Sequence, residues 1–149
     1  MKYLPLLLLL ACNNPQNDRI KKEKRISYDY EILYRYQGEE NLKDDKYRYK
    51  VSPDTLYILL ETGFKNDLIT INTNKNFDLK ETVSTNHSSG LAKEIKLGNI
   101  TELNNLYFTI NSGPLITVEL IKKEYNIIGI RKLKHKISVV FYKKVPIFD

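Results

Sequence analysis

One cysteine, two histidines and no tryptophan occur among 149 residues, and each shortage removes a class of explanation. A lone cysteine cannot close an internal disulfide, and with only two histidines beside it a four-ligand zinc site is out of reach. No metal or other cofactor is expected. Glycine is sparse as well, six residues with no Gly-x-Gly, so the phosphate-cradling loops of nucleotide-binding proteins are missing. No apolar run approaches the roughly 20 residues that a membrane-spanning helix needs. A chain of this size buries about two-thirds of its unfolded surface, enough to build one core without a staple.

What is present is a mixture rich in Ile, Lys, Asn and Tyr, 42% hydrophobic and 28% charged. Basic residues outnumber acidic ones, 24 to 18, for a net charge of +6. This composition belongs to a globular domain rather than to a disordered, collagenous or membrane-spanning chain.

The chain opens with Lys2, then a short apolar run from Leu4 to Ala11, then Cys12 and an abrupt polar stretch from Asn13. As a helix the run covers only about 12 Å, far less than a bilayer core of about 30 Å, so it reads as a targeting segment. Leu9, Leu10, Ala11 and Cys12 resemble the lipobox of bacterial lipoproteins. That resemblance implies cleavage before Cys12, a diacylglyceryl group on its sulfur and an acylated new N-terminus. Each buried methylene contributes about 0.8 kcal/mol, so two or three acyl chains anchor durably. Residues 13–25 then read as a polar tether, with Lys21, Lys22, Lys24 and Arg25 placed to meet an anionic leaflet or merely solvated. Some lipoproteins of the Bacteroidota carry an acidic surface-export signal directly after the cysteine. Asn13 to Asp18 does not match it, so a periplasm-facing location is expected. Asp54-Thr55-Leu56 resembles the O-glycosylation signal of the same group.

From Ile26 onward apolar residues recur at every second position, the period of half-buried strands. Ile26, Tyr28, Tyr30, Ile32, Tyr34 and Tyr36 share one face, and Ser27, Asp29, Glu31 and Arg35 the other. Leu56 to Phe64 is nearly all apolar and predicts a strand covered on both faces. Further strands are predicted around 46–51, 68–71, 77–83, 93–97, 106–110, 115–121, 125–130 and 137–142, with Gly, Asn or Pro in most of the turns. The expectation is an all-β fold, an antiparallel β-sandwich or barrel-like domain of about 8 to 10 short strands. The organisation expected is a signal peptide at 1–11, a lipidated tether at 12–25 and one domain at 26–149.

Signs of catalysis are few. His87 lies in a polar loop beside Ser88, but adjacent side chains on extended backbone point to opposite faces, and no Gly-x-Ser-x-Gly elbow occurs. His135 sits between Lys134 and Lys136. Glu39-Glu40 and Asp44-Asp45 lack calcium-loop spacing and have lysines among them. A carboxylate hydrolase of glycan or cell wall would need two acids converging at about 5 to 9.5 Å, and Glu39, Asp44, Glu61 and Asp67 are the candidates.

Two features suggest binding instead. Six tyrosines fall within 28–49, namely Tyr28, Tyr30, Tyr34, Tyr36, Tyr47 and Tyr49. They suit a packed seam between strands or an exposed platform for sugar rings or a partner protein. The second feature is charge. Residues 115–149 hold a net +5, with Lys122, Lys123, Arg131, Lys132, Lys134, Lys136, Lys143 and Lys144 near predicted strand ends. If gathered on one rim they favour an anionic surface. An exported, anchored protein seldom meets nucleic acid, and no recognition motif accompanies the charge, so none is expected as partner.

The function expected is therefore a membrane-anchored envelope protein with a small binding or adaptor domain. Its partner would be an envelope protein, a glycan or an incoming toxin. The alternatives are the carboxylate hydrolase and a structural lipoprotein that assembles through edge strands.

Overall fold

A computed structural model describes residues 31–37, 51–73 and 77–146. These residues form nine strands: β1 Glu31–Gln37, β2 Thr55–Leu60, β3 Asp67–Thr73, β4 Asp78–Val83, β5 Lys93–Asn99, β6 Asn105–Ile110, β7 Ile116–Glu119, β8 Ile127–Leu133 and β9 Lys136–Tyr142. One short 3-10 helix, Ile100–Glu102, precedes β6, and the Asn99 side chain caps it by accepting from the Thr101 amide. The strands make two sheets, ordered β1-β9-β8-β2-β5 and β4-β3-β6-β7.

The two sheets face each other as an open sandwich, not a closed barrel. Alternation in the sequence decides which side chains meet. From the five-stranded sheet come Leu56, Ile58, Leu60, Ile95, Leu97, Ile128, Ile130, Ile137, Val139 and Phe141. Ile69, Ile71, Val83, Leu106, Phe108, Ile110, Ile116 and Val118 answer them from the four-stranded sheet, all buried. At roughly 25 cal/mol per Å² of apolar surface, this interface is the main source of stability.

The sandwich expected from the alternation is present, but it is not wholly antiparallel. β1 pairs parallel with β9, and β2 parallel with β8. The cause lies in the connections. β2 returns to its parallel neighbour only after the chain has built the opposite sheet, so no tight hairpin joins them.

Parallel pairing goes with cover on both faces. Tyr57, Leu59, Ile127, Val140, Tyr142 and Val145 form a second apolar cluster on the outer face of the five-stranded sheet, with Val51 and Leu91 packed against it. This explains why every residue from Leu56 to Glu61 is buried; the strand predicted over Leu56 to Phe64 ends earlier, at Leu60, and Thr62 and Gly63 beyond it are exposed.

Candidate functional site

The two lateral sides of the sandwich are closed differently. On one side β5 lies over β4, and the Lys93 ammonium pairs with Glu81 across the gap. On the other, β1 faces β7, and the bridge between them is a single hydrogen bond donated by the Tyr34 hydroxyl to the Thr117 carbonyl, 3.0 Å. The gap beside that bond is a groove of about 300 Å³ lined by Tyr34, Tyr36, Thr117, Glu119, Ile121 and Phe141.

The register explains how each wall arises. Tyr34 stands opposite Val139 and Tyr36 opposite Phe141, so both tyrosines lie on the core-facing side of their sheet. Among the described strands β1 lies at the edge, and no further described strand of the facing sheet covers the rings. Tyr34 and Tyr36 are accordingly 49% and 43% exposed. The Tyr36 ring stacks on Phe141 with centroids 4.7 Å apart and planes inclined by 16°, and it meets Tyr125 edge-on at 5.0 Å. Phe141 is fixed in the core, so it holds the Tyr36 ring in place.

The opposite wall is β7, the edge of its sheet among the described strands. The Leu120 amide donates to the Asn104 carbonyl, so by alternation Val118 and Ile116 exchange hydrogen bonds with β6 while Thr117 and Glu119 turn their peptide groups outward. Ile121 follows, 72% exposed, directly before Lys122. Glu119 places a carboxylate near the Tyr34 hydroxyl. Burial first and this negative charge second raise the Tyr34 pKa, so at neutral pH the phenol keeps its proton and donates.

Two lysines stand at the Tyr36 end. Lys122 Nζ lies 4.6 Å from the Tyr36 ring centre and 5.9 Å from that of Tyr125, and Lys143 Nζ lies 5.2 Å from the Tyr125 ring. These are cation–π contacts. They hold two positive charges over aromatic faces without neutralising them.

The eight cations at 122–144 do not gather on one rim. Lys122 and Lys143 flank the groove, whereas Arg131, Lys132, Lys134 and Lys136 cluster at the opposite ends of β8 and β9. There Arg131 Nε donates to the buried Glu61, Lys132 pairs with Asp67 at 2.6 Å and Lys136 with Glu31 at 2.7 Å. Lys123 donates to the Leu103 carbonyl, and burial lowers its pKa. Lys144 is also engaged in an interaction. Of the six tyrosines singled out in the sequence, Tyr34 and Tyr36 enter the groove, while Tyr28, Tyr30, Tyr47 and Tyr49 lie outside the described residues. So do Cys12, the segments 1–11 and 12–25, and the acids at Glu39 and Asp44.

Glu61 and Asp67, the other two carboxylate candidates, are both buried and serve the fold. Glu61 accepts from Arg131 and, at 2.8 Å, from the Tyr142 hydroxyl. Asp67 accepts from the Lys65 amide at 2.8 Å, from Asn111 Nδ2 and from Lys132 Nζ. Burial alone would raise the Asp67 pKa, but Lys132, the Lys65 amide and Asn111 together outweigh it and lower the pKa. The sign follows. The stabilisation from Asp67 is fully present above its unfolded value near 3.8 and disappears as pH falls through the lower folded value. The difference in urea midpoint between parent and Asp67→Asn should therefore shrink steadily as pH is lowered from about 5 towards 2. A constant difference over that range would show that the carboxylate's charge is immaterial.

Among the described residues no group of three or more His, Cys, Asp or Glu could hold a metal ion, and His87 lies on an exposed loop. No protein family, curated protein or solved structure matches this chain.

Thr117, Glu119, Ile121, Tyr125 and Phe141 were not singled out in the sequence. One signal was readable. Ile116, Val118 and Leu120 alternate inward, so Ile121 falls out of phase, an apolar side chain beside two lysines at a strand end.

Proposed function

We propose that this protein is a bacterial envelope lipoprotein, held to the membrane by acyl chains on Cys12, whose sandwich domain binds an envelope ligand in the groove between β1 and β7. The observation that carries this reading is the open side of the sandwich. Three aromatic rings, a carboxylate, an outward-facing strand edge and two flanking lysines converge there, while the β4/β5 side is closed by an ion pair. Binding sites are concave and mostly apolar, with a few convergent polar groups. The two buried carboxylates are saturated by structural partners, which favours binding over a carboxylate hydrolase.

The test uses the full chain carrying Cys12→Ser, so that lipid does not mask binding. Its sedimentation with isolated bacterial envelopes is compared with that of versions also bearing Tyr36→Ala or Glu119→Ala, and of a control bearing Lys96→Ala on the far edge strand. Binding should fall at least tenfold for the groove variants and stay unchanged for the control. Equal sedimentation of all four would refute the groove as the contact surface.

A further inference from the structure

We infer that the groove takes a short saccharide bearing a negative group, such as a uronic acid. The inference rests on the reading of the groove as the binding surface and names its ligand.

Size and shape limit the occupant first. A volume of about 300 Å³ is at the small end for ligand sites, suited to one or two sugar rings. One face of the Tyr36 ring packs on Phe141 and the other lies under Lys122, so a pyranose, whose C–H face is apolar and whose rim is polar, meets the half-exposed Tyr34 ring and the edge of Tyr36. The opposite wall supplies matching partners for hydroxyl groups in the Glu119 carboxylate and the outward peptide groups of β7.

An added peptide strand is the competing occupant, since β7 is an edge strand. The Tyr34 hydroxyl argues against it. It already occupies the Thr117 carbonyl, one of the few outward backbone acceptors that β7 offers, so an incoming strand would lose part of its ladder.

Charge then sets the ligand's sign and direction. Glu119 stands near Tyr34, whereas Lys122 and Lys143 stand over Tyr36 and Tyr125. An acidic substituent is repelled at the first end and paired at the second. Among the described residues the lysines are held by rings rather than by carboxylates, so an incoming anion displaces no ion pair described there. A neutral sugar would leave this pair of cations unused.

Digalacturonate, its fully methyl-esterified form and inorganic sulfate distinguish the terms. They share, respectively, rings and charge, rings alone, and charge alone. Each is titrated by calorimetry into the full chain carrying Cys12→Ser, and into the same chain with Lys122→Gln/Lys143→Gln or with Tyr36→Ala. Thermal unfolding checks that each variant is folded. Digalacturonate should bind at least tenfold tighter than its ester, sulfate should not bind detectably, and the advantage of the acid should vanish in the lysine variant. Tyr36→Ala should abolish binding of both sugars.

Equal affinity for acid and ester, or an advantage that survives loss of both lysines, would overturn the inference. So would tighter binding of an extended acidic peptide than of either sugar. If neither sugar binds while groove substitutions still release the chain from envelopes, the ligand assignment is wrong and the groove remains the contact surface.

Discussion

Replacing Arg131 by Met should lower the unfolding free energy by about 2 to 3 kcal/mol, below the loss for a fully buried ion pair because solvent reaches the guanidinium. The reason is asymmetric burial. Arg131 reaches the surface, with its side chain 40% exposed, whereas Glu61 is almost wholly enclosed on the outer face of the five-stranded sheet. The Arg131 guanidinium donates through Nε to Glu61 and through Nη2 to the Tyr142 hydroxyl, which itself donates to Glu61 at 2.8 Å. Gly129 makes room for this triad, because a Cβ there would overlap both the Glu61 carboxylate and the Tyr142 ring. Burial and the Glu61 charge push the Tyr142 pKa upward, and Arg131 offsets only part of this, so the phenol stays protonated and donating.

Without Arg131 the carboxylate keeps one donor and its charge is stranded. A triple substitution, Glu61→Leu, Arg131→Met and Tyr142→Phe, removes every polar group together and should recover most of the loss. Urea unfolding of the three proteins decides the matter. A single variant within about 1 kcal/mol of the parent would mean that the pair is effectively solvated.

Gly63→Ala should cost about 3 kcal/mol or more, in the range reserved for backbone strain and overpacking. Gly63 holds φ +92°, and a Cβ on it would overlap the backbone carbonyl of Lys132. The close approach has a purpose. The chain after β2 continues to pair with β8, the Glu61 amide donating to Ile130 and the Lys132 amide to Thr62. Prying these segments apart would disturb Glu61, Arg131, Lys132 and Asp67 at once.

Gly98 provides the control. It holds φ +95° with open space where a Cβ would go, so Gly98→Ala should cost only about 1 to 2 kcal/mol from the dihedral alone. Equal losses at the two positions would show that the contact with Lys132 contributes nothing.

Strand positions were legible because burial on one face leaves a period of two. Leu68, Ile69 and Ile71, or Leu106 and Phe108, could hardly be read otherwise. Partners were not legible. Nothing local in Tyr57 or Ile127 specifies that they pair in parallel, since the choice is made by the intervening sheet.

The same limit applies to the groove. The alternation puts Tyr34 and Tyr36 on one face with Ile32 but leaves open whether that face is a packed seam or an exposed platform; it is the inner face, and inward on an edge strand means half-exposed. Edge status is a property of the assembled sheet. Likewise the cations from Lys122 to Lys144 are adjacent along the chain, but β8 and β9 run antiparallel and carry them to two opposite ends. Glu61 and Asp67 were read as candidate acids because their buried partners, Arg131 and Lys132, lie some 65 to 70 residues further along the chain.

The proposed attachment of the protein to a membrane through Cys12 would determine which ligands the groove can meet. Intact mass of the protein produced in a bacterium, with detergent partitioning of the parent and of Cys12→Ser, measures it directly. The result expected is a parent mass equal to residues 12–149 plus a diacylglyceryl and an acyl group, found in the detergent phase, with both features lost in Cys12→Ser. A parent chain that carries no lipid, whether whole or cut elsewhere, would contradict the envelope reading and reopen nucleic acid as a partner for this basic protein.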